Sequence, residues 1–202
     1  MNIKRFTDIT LSLVLLILLF PIIIIVSLII KVTSKGSIFF KQRRLGKNMV
    51  TFVIYKFRTM VSGAEAQKQE LTHCNEADGP VFKIYDDPRL TRFGKFLAHT
   101  GFDEVPQLIN VLRGEMSLVG PRPLPVNEAR KVPIKYKARF SALPGMTSTW
   151  IVKGSHKLSF DQWMKLDVDY VKKSSILLDL NIILDTFMLI LRWILGQNIN
   201  RR

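Results

Sequence analysis

The sequence predicts an α/β domain that is mainly helical, small and membrane-associated. Residues 9–30 carry no charged side chain and are long enough, at about 1.5 Å per residue, to cross a hydrocarbon layer of roughly 30 Å. Apolar residues recur with helical spacing at 105–112 and 160–171, whereas residues 51–60 alternate as in a strand. A chain of 202 residues accommodates one compact domain, expected at 36–202, and an anchor at 1–35.

The composition indicates an anionic partner. Thirty Lys and Arg residues against 16 Asp and Glu residues give a net charge of +14, which suits nucleic acid, anionic lipid or a phosphorylated substrate. No zinc-binding spacing, RNA-binding signature or basic heptad region is present, and 48% of the residues are hydrophobic, so we predict no nucleic acid partner. Cys74 is the only cysteine, which excludes an internal disulfide and is compatible with a reducing, cytoplasm-facing location.

The apolar segment is predicted to be retained as a membrane anchor. It is too long for the core of a signal peptide and is followed by Lys31 and Lys35 instead of a cleavage site. Lys4 and Arg5 precede it, so the positive-inside bias draws both flanks towards the cytoplasm. Pro21, in its middle, removes a backbone donor and favours a kink. Length alone favours a simple transmembrane helix, whereas a helix that enters, bends and returns satisfies both basic flanks.

The alternating segment 51–60 places Lys56 and Arg58 on the same face of a predicted strand. Two neighbouring cations suit a diphosphate, although charged residues also guard exposed edge strands. Further along, the turn signal at 78–80 precedes a short strand that we predict at 81–84.

Adjacent carboxylates, Asp103 and Glu104, precede the apolar stripe of a helix that runs from Val105 to Leu112. Free N–H groups and the helix dipole stabilise negative charge at such a tip, which predicts an ionised carboxylate at neutral pH. An ionised Asp can act as a nucleophile or bind Mg²⁺. The alternative is that Asp103 only caps the helix, with Pro106 tolerated in the first turn.

Residues 120–123 form a stiff Gly-Pro-Arg-Pro loop. Each proline fixes φ and the glycine permits a close approach, so Arg122 is held in place and can bind phosphate oxygens through two nitrogens. An exposed arginine in an ordinary loop is the alternative.

The last third of the chain is predicted to be helical. Ser159 and Gln162 fit a capping box that opens a helix. Asp167 lies close to the apolar face of that helix, so we expect a cationic partner inside the fold. Residues 176–195 are mostly apolar but contain three charged residues, which favours an interfacial amphipathic helix over a spanning one.

Three motifs follow one another closely in the sequence. They are Asp-Glu-x-Pro-Gln-Leu at 103–108, Asn-Val-Leu-Arg-Gly-Glu-Met-Ser at 110–117 and Gly-Pro-Arg-Pro at 120–123. This block resembles the bacterial sugar transferase family, the monotopic phosphoglycosyl transferases that act on polyprenol phosphate. Tyr-Lys-Phe-Arg-Thr-Met at 55–60 and Asp-Pro-Arg-x-Thr-x-x-Gly at 87–94 are also similar to motifs of this family.

The resemblance implies a reaction and a location. The expected donor is a UDP-sugar, whose sugar phosphate moves to a polyprenol phosphate such as undecaprenyl phosphate with release of UMP. This is the first membrane step of surface polysaccharide or glycoconjugate synthesis. The resemblance also favours a proline-broken re-entrant helix in one leaflet of the bacterial inner membrane, with the catalytic domain on the cytoplasmic face and membrane lipid as a partner.

The resemblance also implies roles for individual residues. Asp103 attacks the sugar-linked phosphorus and forms a covalent phosphosugar intermediate, and Glu104 assists. Mg²⁺ is expected because a carboxylate that approaches a diphosphate meets like charge, and Asp103 is its first candidate ligand. The candidate phosphate contacts are Lys56, Arg58, Arg89 and Arg122.

The sequence departs from the family pattern in two places. Relatives usually have Ser-Pro at the helix break, where this chain has Phe-Pro. Ser155 stands where relatives have an arginine, so Lys153 or His156 replaces that cation, or the donor differs. A catalytically silent membrane adaptor and a single-span protein with a soluble binding module remain alternatives, and a homodimer is an open option.

Overall fold

The computed structural model describes residues 3–154 and 158–195 of the chain. These residues form a mainly helical α/β fold, which confirms the predicted balance of helix and strand. The elements in chain order are α1 (Ile3–Thr33), β1 (Phe39–Leu45), β2 (Thr51–Phe57), α2 (Arg92–Thr100), α3 (Leu108–Arg113), β3 (Ser117–Val119), β4 (Leu124–Pro125), α4 (Val126–Ala129), β5 (Gly145–Thr147), α5 (Thr149–Val152), α6 (Phe160–Lys173) and α7 (Ile176–Ile194).

Helix α1 is 31 residues long and continues through Pro21. A break at the proline is therefore not confirmed, and re-entry stays a prediction. The middle of the helix exposes large apolar side chains such as Ile17, Leu18 and Phe20. Within the described residues, α1 is the one helix long and apolar enough to cross a membrane by length and composition.

The amino-terminal end of α1 is attached to the rest of the domain by polar contacts. Lys4 Nζ pairs with Asp179 Oδ2 at 2.5 Å and donates to the Val119 carbonyl at 3.2 Å. Asp8 is only 4% exposed, and its Oδ1 accepts a hydrogen bond from Ser117 Oγ at 3.1 Å. Because a buried carboxylate needs such partners, this end of the apolar helix is anchored to β3 and α7.

The carboxyl-terminal end of α1 is attached to the same domain. Ile30 lies in a buried apolar cluster with Phe57 of β2 and Leu97 of α2. Beyond the helix, Arg58 donates to the Ser34 carbonyl at 2.8 Å and to Ser34 Oγ at 2.6 Å. Both ends of α1 are therefore fixed to one folded unit.

Two small sheets organise the rest of the fold. In the first sheet β1 lies between β2 and β4, and both pairings are antiparallel, with Phe39 opposite Phe57 in the β1–β2 register. In the second sheet β3 and β5 are parallel, with Ser117 opposite Gly145 and Val119 opposite Thr147. The strand predicted at 51–60 is confirmed for residues 51–57.

The strand predicted at 81–84 is wrong. Residues 81–84 have no regular secondary structure. Asn75 explains this, because its side-chain oxygen accepts a hydrogen bond from the Lys83 N–H at 2.8 Å and its amide nitrogen donates to the Val81 carbonyl at 3.1 Å. The Lys83 carbonyl accepts a hydrogen bond from the Glu76 N–H at 2.8 Å, so the segment is paired within its own loop, largely through a side chain, and not with a neighbouring strand.

The predictions for α6 are confirmed. Ser159 and Gln162 form both hydrogen bonds of a capping box at its start. Asp167 has the expected internal cation, since its Oδ2 lies 2.7 Å from Nη2 and 3.0 Å from Nε of Arg139, and both side chains are almost completely buried.

The buried apolar residues form three clusters. Among the described residues, the first cluster contains no residue of α1 and centres on Trp150, Trp163 and Met164. The second includes Leu11 and Leu16 of α1 at its margin, and the third includes Val26 and Ile30 of α1. Among the three clusters, the first is therefore the one that has no described contact with the long apolar helix α1.

Candidate active site

The side chain of Lys56 forms ion pairs with both adjacent carboxylates, Asp103 and Glu104. Its Nζ lies 3.2 Å from Asp103 Oδ2 and 2.7 Å from Glu104 Oε1. The alternation of β2 gives this direction, because Lys56 follows Phe52 and Ile54, which are buried on the same face. The strand therefore aims the ammonium group at the acidic pair.

The backbone of the acidic pair differs from the prediction. Asp103 and Glu104 lie in a 3₁₀ helix, Phe102–Gln107, which comes between Gly101 at the end of α2 and Leu108 at the start of α3. The predicted α-helical first turn is thus a tighter 3₁₀ segment. In this geometry both carboxylates reach the same ammonium group. The predicted apolar stripe is also only partly correct, because Ile109 is 39% exposed.

Arg122 completes the cluster from another loop. Its Nη2 lies 2.8 Å from Glu104 Oε1, so that oxygen is shared by two cations. The position of the loop follows from close backbone contacts between the two residues after β3 and strand β5. The Gly120 N–H donates to the Thr147 carbonyl at 3.1 Å, and the Gly145 N–H donates to the Pro121 carbonyl at 3.0 Å.

Gly120 is required for this close approach. A Cβ atom there would lie 2.3 Å from the Leu143 carbonyl oxygen, a distance that no side chain tolerates. The Gly-Pro-Arg-Pro segment at 120–123 and the Pro-Gly-Met-Thr segment at 144–147 therefore form a single structural unit next to the carboxylates.

The pKa values of the two carboxyl groups shift in opposite directions. Burial opposes the ionisation of Glu104, but Arg122 and Lys56 outweigh it and hold the pKa of that carboxyl well below its usual range. Burial raises the pKa of Asp103, Lys56 opposes this change, and the neighbouring charge of Glu104 adds to it. The direction for Asp103 is opposite to the helix-tip expectation, because burial and the neighbouring charge of Glu104 outweigh the attraction of Lys56.

Asn110 fixes the distance between β2 and the acidic pair. This fully buried side chain accepts a hydrogen bond from the Tyr55 N–H at 3.1 Å and donates to the Val53 carbonyl and to Glu115 Oε2, both at 2.7 Å. It bridges α3 to the strand that carries Lys56. The sequence reasoning did not single it out, although a polar residue between apolar helical positions is a usable signal.

The other two predicted phosphate contacts lie elsewhere. Arg89 is 5% exposed, and it pairs with both carboxylate oxygens of Asp87 and donates to the Ala64 carbonyl. Arg58 donates to the Ser34 and Lys35 carbonyls at the end of α1, because β2 ends at Phe57 and the alternation does not continue. Their contact with phosphate stays a prediction.

Two residues near Arg122 were missed by the sequence reasoning. Lys83 Nζ lies 5.5 Å and Arg122 Cζ lies 6.0 Å from the centroid of the Trp150 ring. Lys83 lies in the segment 81–84, which the sequence pattern wrongly predicted to be a strand, so it was not considered as a ligand contact. Of the two replacements suggested for the family arginine, Lys153 directly follows α5, whereas Ser155 and His156 lie outside the described residues.

Comparison with protein families decides the assignment. The family model described as "Bacterial sugar transferase" matches residues 1–193. The chain belongs to the bacterial sugar transferase family. The resemblance inferred from the motifs at 103–123 is thereby confirmed, and the same motifs supply Asp103, Glu104 and Arg122.

Three relatives illustrate the similarity. Galactosyl transferase CpsE of Streptococcus agalactiae is 44% identical over 93% of this chain and 42% of that protein. The exopolysaccharide production protein ExoY of Sinorhizobium fredii is 36% identical over 91% of this chain and 83% of that protein. The undecaprenyl-phosphate galactose phosphotransferase of Salmonella typhimurium is 36% identical over 94% of this chain and 40% of that protein. The chain thus spans about two fifths of the length of the first and third relatives.

Proposed function

We propose that this chain is a phosphoglycosyl transferase that moves a sugar 1-phosphate from a UDP-sugar to a polyprenol phosphate such as undecaprenyl phosphate, with release of UMP. The observation that carries the proposal is the acidic pair held by Lys56 and Arg122 in a member of the bacterial sugar transferase family. The names of the galactosyl transferase and the undecaprenyl-phosphate galactose phosphotransferase support the kinds of donor and acceptor.

Asp103 is the proposed nucleophile. Its carboxylate oxygen bonds to the phosphorus that bears the sugar, while the bond from that phosphorus to the bridging oxygen breaks and UMP leaves with the electron pair. An oxygen of the polyprenol phosphate then attacks the same phosphorus, which forms the lipid diphosphate sugar and releases the carboxylate. Asp103 suits this role better than Glu104, because among the described residues it contacts one cation, at 3.2 Å, whereas an oxygen of Glu104 is shared by two. The raised pKa of Asp103 also makes its ionised form the stronger nucleophile.

Glu104 is the proposed positioning residue for the two cations. Its Oε1 lies 2.7 Å from Lys56 Nζ and 2.8 Å from Arg122 Nη2. Cations fixed in advance beside a diphosphate offset its charge without reorganisation during the reaction. Phosphate binding by Lys56 and Arg122 is therefore part of the proposal, whereas the hydrogen bonds of Arg58 and Arg89 argue against such a role for those two residues.

Mg²⁺ fits this site only if it is shared with the substrate. The described residues contain no group of three His, Cys, Asp or Glu side chains that could hold a metal ion by themselves. Mg²⁺ is commonly held by one or two carboxylates together with substrate phosphates, and Asp103 with Glu104 provides that donor set. The ion would neutralise diphosphate charge when bound.

The proposed location is the cytoplasmic face of the bacterial inner membrane, with α1 re-entrant in one leaflet. Its support is that Lys4 at one end of α1 and Ile30 near the other are held by the same domain. Helix α7 exposes Leu177, Leu184 and Phe187, which suits the membrane interface. In a Cys74→Ser background, a cysteine introduced at residue 2 should resist external labelling in intact cells, and labelling there would contradict re-entry.

The nucleophile is tested with a donor that carries ³²P in the sugar-linked phosphate. The wild-type protein should form an adduct at Asp103 and release UMP, and Asp103→Asn should lose both. The matched control is Asp169→Asn, an exposed Asp on α6, which should behave as the wild type. UMP release by Asp103→Asn would disprove the nucleophile, and no release by the wild type with any UDP-sugar would favour the silent adaptor.

A further inference from the structure

The loop 75–83 holds Lys83 in a fixed position. Asn75 Oδ1 accepts a hydrogen bond from the Lys83 N–H at 2.8 Å, and its Nδ2 donates to the Val81 carbonyl at 3.1 Å. Asp78 Oδ1 accepts a hydrogen bond from the Phe160 N–H at 2.7 Å, which ties the loop to the start of α6. These hydrogen bonds fix the backbone of the segment that carries Lys83 relative to α6.

Trp150 provides a platform for two cations. One face of its ring is stacked on Trp163, with centroids 4.2 Å apart and an interplanar angle of 17°. Since that face is covered, Lys83 and Arg122 lie on the side of the ring away from Trp163, both within about 6 Å of the centroid. Lys83 and Arg122 are each partly exposed, so a ligand can reach both.

The cations around Arg122 repel one another. Burial lowers the pKa of Lys83 to about 8, and the charge of Arg122 contributes to that change. Burial likewise lowers the pKa of Arg44 to about 10, again with a contribution from Arg122. Arg44 donates to the Pro123 carbonyl at 2.9 Å, but its buried Nε has no hydrogen-bond partner in the described part of the chain. A bound anion relieves this repulsion.

The position of Lys83 favours a water-soluble ligand. Trp150 belongs to the buried cluster that includes no described residue of α1. Lys83 therefore lies over a part of the core with which α1 has no described contact, which favours the water-soluble nucleotide over the polyprenol chain as its ligand.

We propose that Lys83 and Arg122, over the Trp150 ring, bind the nucleotide phosphate of the donor. This inference rests on the proposed function and adds two parts to its site, an ammonium group and an aromatic platform. When the bond between the sugar-bearing phosphorus and the bridging oxygen breaks, that oxygen keeps the electron pair and the departing nucleoside monophosphate gains negative charge. Lys83 and Arg122 offset that charge, and Lys56 remains with the carboxylates.

The test measures UMP binding to the full chain in detergent by calorimetry, together with the KM values for donor and acceptor. Lys83→Gln should weaken UMP binding by about ten- to a hundredfold, the effect of losing one charge-assisted contact. The same variant should raise the donor KM by a larger factor than it lowers kcat. The acceptor KM should not change. Lys83→Arg should recover most of the affinity, and Lys172→Gln, at an exposed lysine on α6, should match the wild type.

A second measurement uses the wild-type protein and does not depend on the folding of a variant. UMP should protect Lys83, and not Lys172, from acetylation as followed by mass spectrometry. Absence of protection would overturn the inference, as would unchanged UMP affinity in a folded Lys83→Gln protein. A shift in the acceptor KM alone would assign the subsite to the lipid phosphate and also overturn it.

The inference and the proposed function fail in distinguishable ways. If the wild-type protein releases UMP and Lys83→Gln binds UMP normally, only the inference is wrong. If the wild-type protein binds UMP but Asp103→Asn still turns over the donor, only the proposed nucleophile is wrong.

Discussion

Arg122 and Arg89 both stand next to a proline in motifs that favour phosphate binding, yet their surroundings differ. Arg89 is buried, and its guanidinium binds both oxygens of Asp87 and the Ala64 carbonyl. The side chain of Arg122 is 29% exposed. In the described part of the chain its guanidinium donates to Glu104 through Nη2 alone, so most of its five N–H donors are available.

The difference arises from where each arginine finds its carboxylate. Asp87 is two residues from Arg89, and among the described residues its carboxylate pairs with Arg89 only, so the ion pair forms within one loop. Glu104 is 18 residues from Arg122 and is shared with Lys56. A motif identifies an arginine that is fixed in place, but whether it can bind a ligand depends on how many of its donors the fold already uses.

The largest expected effect tests the structural arginine. Arg89→Ala should lower the free energy of unfolding by about 3–5 kcal/mol, because it leaves Asp87 buried without a partner. Activity per folded molecule should stay within a few-fold of the wild type. Denaturant titration and UMP release measure the two quantities. Recovery of stability in the double variant Arg89→Met/Asp87→Leu would support the ion-pair explanation. A loss of activity in folded Arg89→Ala protein would instead indicate that Arg89 contacts phosphate.

A slightly smaller effect is expected at the candidate ligand-binding arginine. Arg122→Ala should lower kcat/KM for UMP release by about 10²–10³-fold, equivalent to roughly 2.7–4 kcal/mol of transition-state stabilisation. Glu104 keeps Lys56 as its partner, so the free energy of unfolding should change much less than for Arg89→Ala. Equal losses of stability in the two variants would remove the distinction between the two arginines.

The pH dependence of donor binding refines the description of the Arg122 side of the site. The pKa of Lys83 is lowered to about 8 by burial and by Arg122, while Glu76 opposes the change. The protonated form binds an anion, so affinity for UMP should be full below pH 8 and should fall roughly tenfold as the pH rises above it. Calorimetry across pH 7–9.5 measures this fall. Lys83→Arg should give a flat profile, and the same fall in that variant would exclude Lys83 as its cause.

The smallest effect concerns the arginine that follows β2. Arg58→Gln should lower the free energy of unfolding by about 1 kcal/mol, because Arg58 donates to the carbonyls at the end of α1. The donor KM should not change. Thermal unfolding and steady-state kinetics measure both values, and a tenfold rise in donor KM would restore Arg58 as a phosphate contact.

Local patterns in the sequence predicted much of this molecule because their causes are local. Alternation predicted β2 and the direction of Lys56, and the capping box predicted the start of α6. The charge of Asp167 on an apolar face predicted a buried cation, which is Arg139. The segment at 81–84 was mistaken for a strand because hydrogen bonds from a side chain, Asn75, replace those of a ladder.

The sequence by itself determined the apolar amino-terminal helix, the acidic pair, the stiff loop around Arg122 and membership of the bacterial sugar transferase family. Only the tertiary structure decided that Asp103 and Glu104 share Lys56, that Arg58 and Arg89 bind backbone and carboxylate groups elsewhere, and that Lys83 lies over Trp150. The physical reason is the distance along the chain over which each interaction acts. Helix spacing and turn chemistry depend on neighbouring residues, whereas the use of a charged side chain depends on partners that packing brings from distant parts of the chain.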